Sequence, residues 1–135
     1  MKVELSHIAI ANPKISEIME KLKVLALEVE KVHDVPTEKV KAAMIPVRVS
    51  KQFRIEILEP TDPQSPISKF LEKRPDGGIH HICFEVQHLE QWVEVVEKAG
   101  MQILPPGIRK AARGRAVFIH PKNIGGVLVE LEELE

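Results

Sequence analysis

Tyrosine is absent from this chain, tryptophan occurs once and phenylalanine four times, so aromatic residues make up only 4% of its 135 positions. Charge of either sign is also not in excess, with 19 Lys plus Arg against 20 Asp plus Glu. Nucleic-acid binding needs a basic stripe and stacking platforms, and a near-neutral, aromatic-poor chain supplies neither. Cysteine is reduced to Cys83 alone, which excludes an internal disulfide and fits a reducing compartment. No long apolar run is present. The N-terminal stretch Met1 to Ile10 is interrupted by Lys2, Glu4 and His7, so it reads as a strand and not as a signal peptide or membrane span. These absences leave a single cytoplasmic globular domain whose core is aliphatic, 44% of the residues being apolar.

What is present is a repeat. His7 and Glu56 are 49 positions apart, His81 and Glu130 are also 49 apart, and the two intervals are offset by 74. Residues without chemistry follow the same offset. Ile15, Ile18, Met19 and Leu22 recur as Leu89, Trp92, Val93 and Val96, each set at helical spacing. Ile55, Ile57 and Leu58 around Glu56 recur as Val129, Leu131 and Glu132 around Glu130, only the last turning polar.

Each half reads strand, helix, three strands. In the first, a strand over Val3 to Ala11 leads to Asn12 as helix cap and Pro13 as first helical residue, the helix running to about Leu25. Strands then follow near Leu27 to Val35, Val40 to Val47 and Gln52 to Glu59, with Arg48 to Lys51 as a hairpin connection. The second half has a strand over Gly78 to Val86, a helix over Leu89 to Ala99 ended by Gly100, and strands near Met101 to Leu104, Arg115 to His120 and Gly126 to Glu132. The modules are therefore about 1–60 and 78–135. The proline-rich linker 61–77 carries a short helix capped by Ser65 and begun by Pro66, through Lys73.

Strand alternation sorts the four repeated polar residues onto one kind of face. His80, Ile82, Phe84 and Val86 share a mostly apolar face, whereas His81 and Cys83 point the other way, away from the core. Ile8 and Ile10 oppose His7, Ile55 and Ile57 oppose Glu56, and Val129 and Leu131 oppose Glu130. Desolvated carboxylates need a cation or hydrogen bonds, and two imidazoles with two carboxylates suit a divalent transition metal. Candidate ligands are thus His7, Glu56, His81 and Glu130, with Co, Ni, Mn, Fe or Zn all compatible. A loop from Pro105 to Arg115 gathers Arg109, Lys110, Arg113 and Arg115, which suits it to phosphates or carboxylates, or to plain solvation.

The paired modules, together with Ile55 to Pro60 (IEILEP), Ser65 to Lys73 (SPISKFLEK), Gly77 to Val86 (GGIHHICFEV), His120 to Lys122 (HPK) and Gly125 to Leu131 (GGVLVEL), resemble the vicinal oxygen chelate superfamily. Within it they are most similar to the methylmalonyl-CoA epimerases. The resemblance implies an α+β fold in which two βαβββ modules form an eight-stranded, mostly antiparallel curved sheet around a metal-binding cleft. It further implies a divalent metal, most often cobalt, held by His7, Glu56, His81 and Glu130, with Glu130 also exchanging the proton of an acyl-CoA substrate. Arg113 and Arg115 would then meet CoA phosphates, and relatives usually form homodimers. Ala42 stands where some epimerases have a second Glu, and Lys110 to Arg113 replaces a glycine-rich loop, so the second base has no assignment. A glyoxalase I-like lyase would need the same ligands, and a small-molecule-binding module of the same fold would need no catalytic metal.

Overall fold

The computed structural model describes residues 2–25, 27–47 and 50–135, with side chains at all of these except 47 and 50–52. Among the described residues, eight strands, three α-helices and one 3-10 turn follow in the expected α+β order. The first module comprises β1 (Val3–Ala11), α1 (Ile15–Lys23), β2 (Lys31–Val35), β3 (Val40–Val47) and β4 (Ser50–Pro60). After α2 (Pro66–Lys73), the second comprises β5 (Gly78–Val86), α3 (Leu89–Lys98), β6 (Arg109–Ala111), β7 (Gly114–Ile119) and β8 (Leu128–Leu134). Packing divides the chain into two compact units, His7–His80 and Met1–Ser6 with His81–Glu135.

In the unit His7–His80 the strands lie in the order β2-β3-β4-β1, antiparallel except for the parallel β1–β4 pair. Ile15, Ile18, Met19 and Leu22 of α1 pack on Ile10, Ala43, Ile45, Ile55 and Ile57, which alternation puts on one face. The opposite face presents Ala9, Ala11, Ala42 and Leu58 to Ile67, Phe70 and Leu71 of α2. Three alanines there allow the linker helix to lie close to the strands. Ser65 caps that helix, accepting from the Ile67 amide at 3.2 Å, and Pro66 begins it, as the linker sequence predicts.

The other unit repeats the arrangement as β5-β8-β7-β6, again with one parallel pair, β5–β8. Leu89, Trp92, Val93 and Val96 of α3 cover Val117, Ile119, Val129 and Leu131. The 74-residue offset is kept at the level of register. His7 pairs with Arg54 and Ala9 with Glu56 in the first module, and His81 with Leu128 and Cys83 with Glu130 in the second.

Several boundaries differ from expectation. The first helix starts at Ile15, not Pro13, and ends at Lys23: Asn12 Oδ1 accepts from the Lys14 amide at 2.8 Å in a tight turn. Glu59, 44 positions away, accepts from the Ile15 amide at 2.9 Å and so replaces the expected cap. The strand expected from Leu27 begins at Lys31. Met101 to Leu104 forms no strand beyond an isolated bridge at Ile103, and the second strand of module two is instead Arg109–Ala111, inside the expected loop. Pro105 and Pro106 lack amide donors, so pairing cannot continue through them and resumes after the turn at Gly107. The last strand runs Leu128–Leu134, two residues later than expected. Of the expected hairpin connection, Arg48 and Val49 lie outside the described residues.

Candidate metal centre

The four repeated residues are brought together as two pairs, one in each unit. In the first, parallel pairing of β1 with β4 places His7 and Glu56 on one face, where His7 Nδ1 lies 3.2 Å from Glu56 Oε2. In the second, β5 and β8 place His81 Nε2 3.0 Å from Glu130 Oε2. Residue exposure is 4% for His7 and 7% for each of Glu56, His81 and Glu130. The expectation that His81 points away from the core is corrected to this extent: its face is as buried as the helix-covered one, and Cys83 beside it is fully buried.

Each pair offers one imidazole nitrogen and one carboxylate oxygen at the separation that adjacent ligands of one ion adopt, about 3 Å for bonds near 2.1 Å. Charges buried to this degree are costly unless they are paired, hydrogen-bonded or bound to a cation. The donor set therefore fits a divalent metal ion. His81 is further held by an edge-on contact with Phe118, ring centroids 5.9 Å apart.

Sequence reading missed Arg54. Its Nε donates to Glu56 Oε2 at 2.7 Å and its Nη2 reaches His7 Nδ1 at 3.2 Å. With side-chain exposure of only 14%, this guanidinium is part of the site and not a surface charge. The signal was available, since Arg54 lies two positions from Glu56 and so shares its face. It went unread because only the tertiary pairing of β1 with β4 shows that His7 is opposite.

The basic loop has become a hairpin whose arginines are engaged. Arg113 is ion-paired with buried Glu132 and donates to Ser6 Oγ at 3.2 Å. Arg115 binds Glu90 and Glu133 together, its Nη2 lying 3.1 Å from Glu90 Oε2. These hydrogen bonds hold the Glu90 and Glu133 carboxyls below the usual carboxylate range, and the two carboxylates raise the Arg115 guanidinium above its own. Arg109 stacks over Phe118 and donates to the Pro105 carbonyl at 2.9 Å.

Ala42 is buried on the face of Glu56, and its ladder partner on β2 is His33. The buried Nδ1 of His33 has no hydrogen-bond partner among the described residues. Lys41 alternates to the other face and is exposed, and Glu38 sits in the turn before β3.

Residues 6–118 match the family model of the glyoxalase/bleomycin resistance protein/dioxygenase superfamily. The chain is 40% identical over 133 residues to the mitochondrial methylmalonyl-CoA epimerase of Dictyostelium discoideum, covering 96% of this chain and 78% of that protein. It is equally similar to the ethylmalonyl-CoA/methylmalonyl-CoA epimerase of Cereibacter sphaeroides, covering 96% and 97%. Among solved structures, the methylmalonyl-CoA epimerase of Mycobacterium tuberculosis superposes with a TM-score of 0.87 at 28% identity, over 98% of this chain and 88% of that one. A methylmalonyl-CoA epimerase solved with methylmalonyl-CoA and an ammonium ion gives 0.85 at 27%, over 99% and 96%. The chain belongs to the glyoxalase/bleomycin resistance protein/dioxygenase superfamily and, within it, to the methylmalonyl-CoA epimerase family.

Proposed function

We propose that this protein epimerises methylmalonyl-CoA at C2, with His7, Glu56, His81 and Glu130 holding one divalent ion and Glu130 exchanging the proton. The observation that carries the reading is the pair of buried His–Glu contacts at equivalent register positions in a chain of the epimerase family. Removing a proton between a thioester and a carboxylate creates an enolate, and a bound divalent cation supplies Lewis-acid stabilisation of that charge. The donor set of two nitrogens and two carboxylates supports a first-row ion, for which cobalt is our assignment.

The remaining chemistry belongs to the chain. Glu130 sits in the interior of β8 between Val129 and Leu131, both buried, so its carboxylate is held on a rigid strand and shielded from bulk water. A positioned carboxylate of this kind moves a proton with a contribution of about 10²–10⁴ in rate. Arg113 and Arg115 are assigned to the phosphates of the acyl-CoA, for which each exchanges a carboxylate partner for phosphate oxygens. We further assign the protein to the cytoplasm, where Cys83 stays a thiol, and to a homodimer. No described helix is long and apolar enough to cross a membrane.

The test is deuterium incorporation at C2 of methylmalonyl-CoA in heavy water, comparing chelator-treated protein with protein reloaded with cobalt. Incorporation is expected only with metal, and Glu130→Ala is expected to lower it at least about a hundred-fold. Near-normal exchange by that variant, or by the stripped enzyme, overturns the mechanism.

A further inference from the structure

Arg54 occupies a position that the duplication does not repeat. The second module has Leu128 where the first has Arg54, each directly opposite its histidine in the parallel ladder. The two half-sites are thus built alike in backbone and unlike in charge.

The guanidinium forks across the pair. It places one N–H on Glu56 Oε2, at 2.7 Å, and another within 3.2 Å of His7 Nδ1. His7 Nδ1 lies 3.2 Å from both the Arg54 N–H donor and the Glu56 Oε2 acceptor, so its partner follows from which ring nitrogen carries the proton. Ligation through Nδ1 requires Arg54 to withdraw. Glu56 Oε2 is likewise shared, because the arginine and an incoming cation bind the same oxygen.

We infer that Arg54 is a built-in competitor for the metal: its guanidinium holds His7 and Glu56 in place and occupies, with a fixed positive charge, the Glu56 oxygen that an incoming divalent ion would bind. This rests on the metal-dependent reading of the site and adds to it a positioning residue that sets metal affinity. In the second module the equivalent ladder position is apolar, so His81 and Glu130 take a cation without displacing an arginine at Leu128.

The experiment is titration of the whole chelator-treated protein with Co2+ at one pH, by calorimetry and by the visible absorption of the bound ion, for the wild type, Arg54→Met and Arg54→Lys. Methionine keeps much of the side-chain volume without charge, while lysine keeps the charge as a point and loses the fork. The competitor role predicts that Arg54→Met binds Co2+ about ten-fold more tightly, as expected when a displaced charge-assisted hydrogen bond is removed, with Arg54→Lys between the two. It also predicts a lower melting temperature for Arg54→Met without metal, since Glu56 is then buried without its cation, and a difference that narrows when Co2+ is saturating. Should Arg54→Met fail to fold, Arg54→Lys gives the same decision on a folded protein. Equal or weaker Co2+ binding in the folded variants overturns the inference. A wild type that takes up no divalent ion is a different failure: it removes the metal reading, and this inference falls with it.

Discussion

Arg115 shows what one side chain does when two carboxylates reach it. Glu90 at the start of α3 and Glu133 near the end of β8 both bind it, and both are held below the usual carboxylate range. A carboxyl depressed in the folded state contributes stability that is complete above its unfolded pKa and is lost as pH falls through the folded one. The stability difference between wild type and Arg115→Ala is therefore expected to be open at pH 7 and to close as the pH drops below about 4, measured as paired melting curves. A gap of constant width across that range would mean that the arginine acts by packing and not by charge. If Arg115 also meets the acyl-CoA, the same variant raises KM more than it lowers kcat.

At the scale of elements, the joint between the linker helix and β5 depends on glycine for two reasons. Gly77 has φ +89°, and a Cβ built on it would lie 2.3 Å from the Ala11 carbonyl oxygen at the end of β1. Gly100, which ends α3, has φ +81° but nothing within 4 Å of its Cβ direction. Both would strain an L-residue, and only Gly77 adds a backbone clash. Gly77→Ala is expected to cost about 2–4 kcal/mol and Gly100→Ala about 1, read from urea denaturation. Equal losses would show that conformational strain alone decides both. The position matters to the site because β5, which carries His81, starts at the next residue.

For the molecule as a whole, the proposed metal site gathers four ionisable groups at 4–7% exposure, which a bound cation would stabilise. A ligand that binds only the folded state stabilises it in proportion to the logarithm of its concentration, about 2.7 kcal/mol at a hundred times Kd. Added Co2+ is accordingly expected to raise the melting temperature of chelator-treated protein, and the rise is expected to vanish in a double variant His7→Ala, His81→Ala. An unchanged melting temperature in the wild type would count against a divalent ion as part of the native structure.

The repeat, and with it the element order and the identity of the paired polar residues, is legible in the order of the amino acids alone. Hydrophobic periodicity and strand alternation are local properties, so the 74-residue offset fell on α1 and α3 and on the face shared by Glu56 and its neighbours without any knowledge of tertiary contacts. Local signals also placed Ser65 and Pro66 at the start of α2. Tertiary structure decided what depends on a distant partner. The first helix begins where Glu59 supplies its cap, and Asn12 alone misled the expected start. The second strand of module two formed at Arg109–Ala111 because it could pair with Gly114–Ala116 across a short turn, whereas Pro105 and Pro106 denied the upstream segment its donors. Above all, the charge on the site was invisible in one dimension. Arg54 reads as one more polar residue on a half-exposed strand until parallel pairing sets His7 opposite it, and only then do an arginine, a histidine and a glutamate become one buried group.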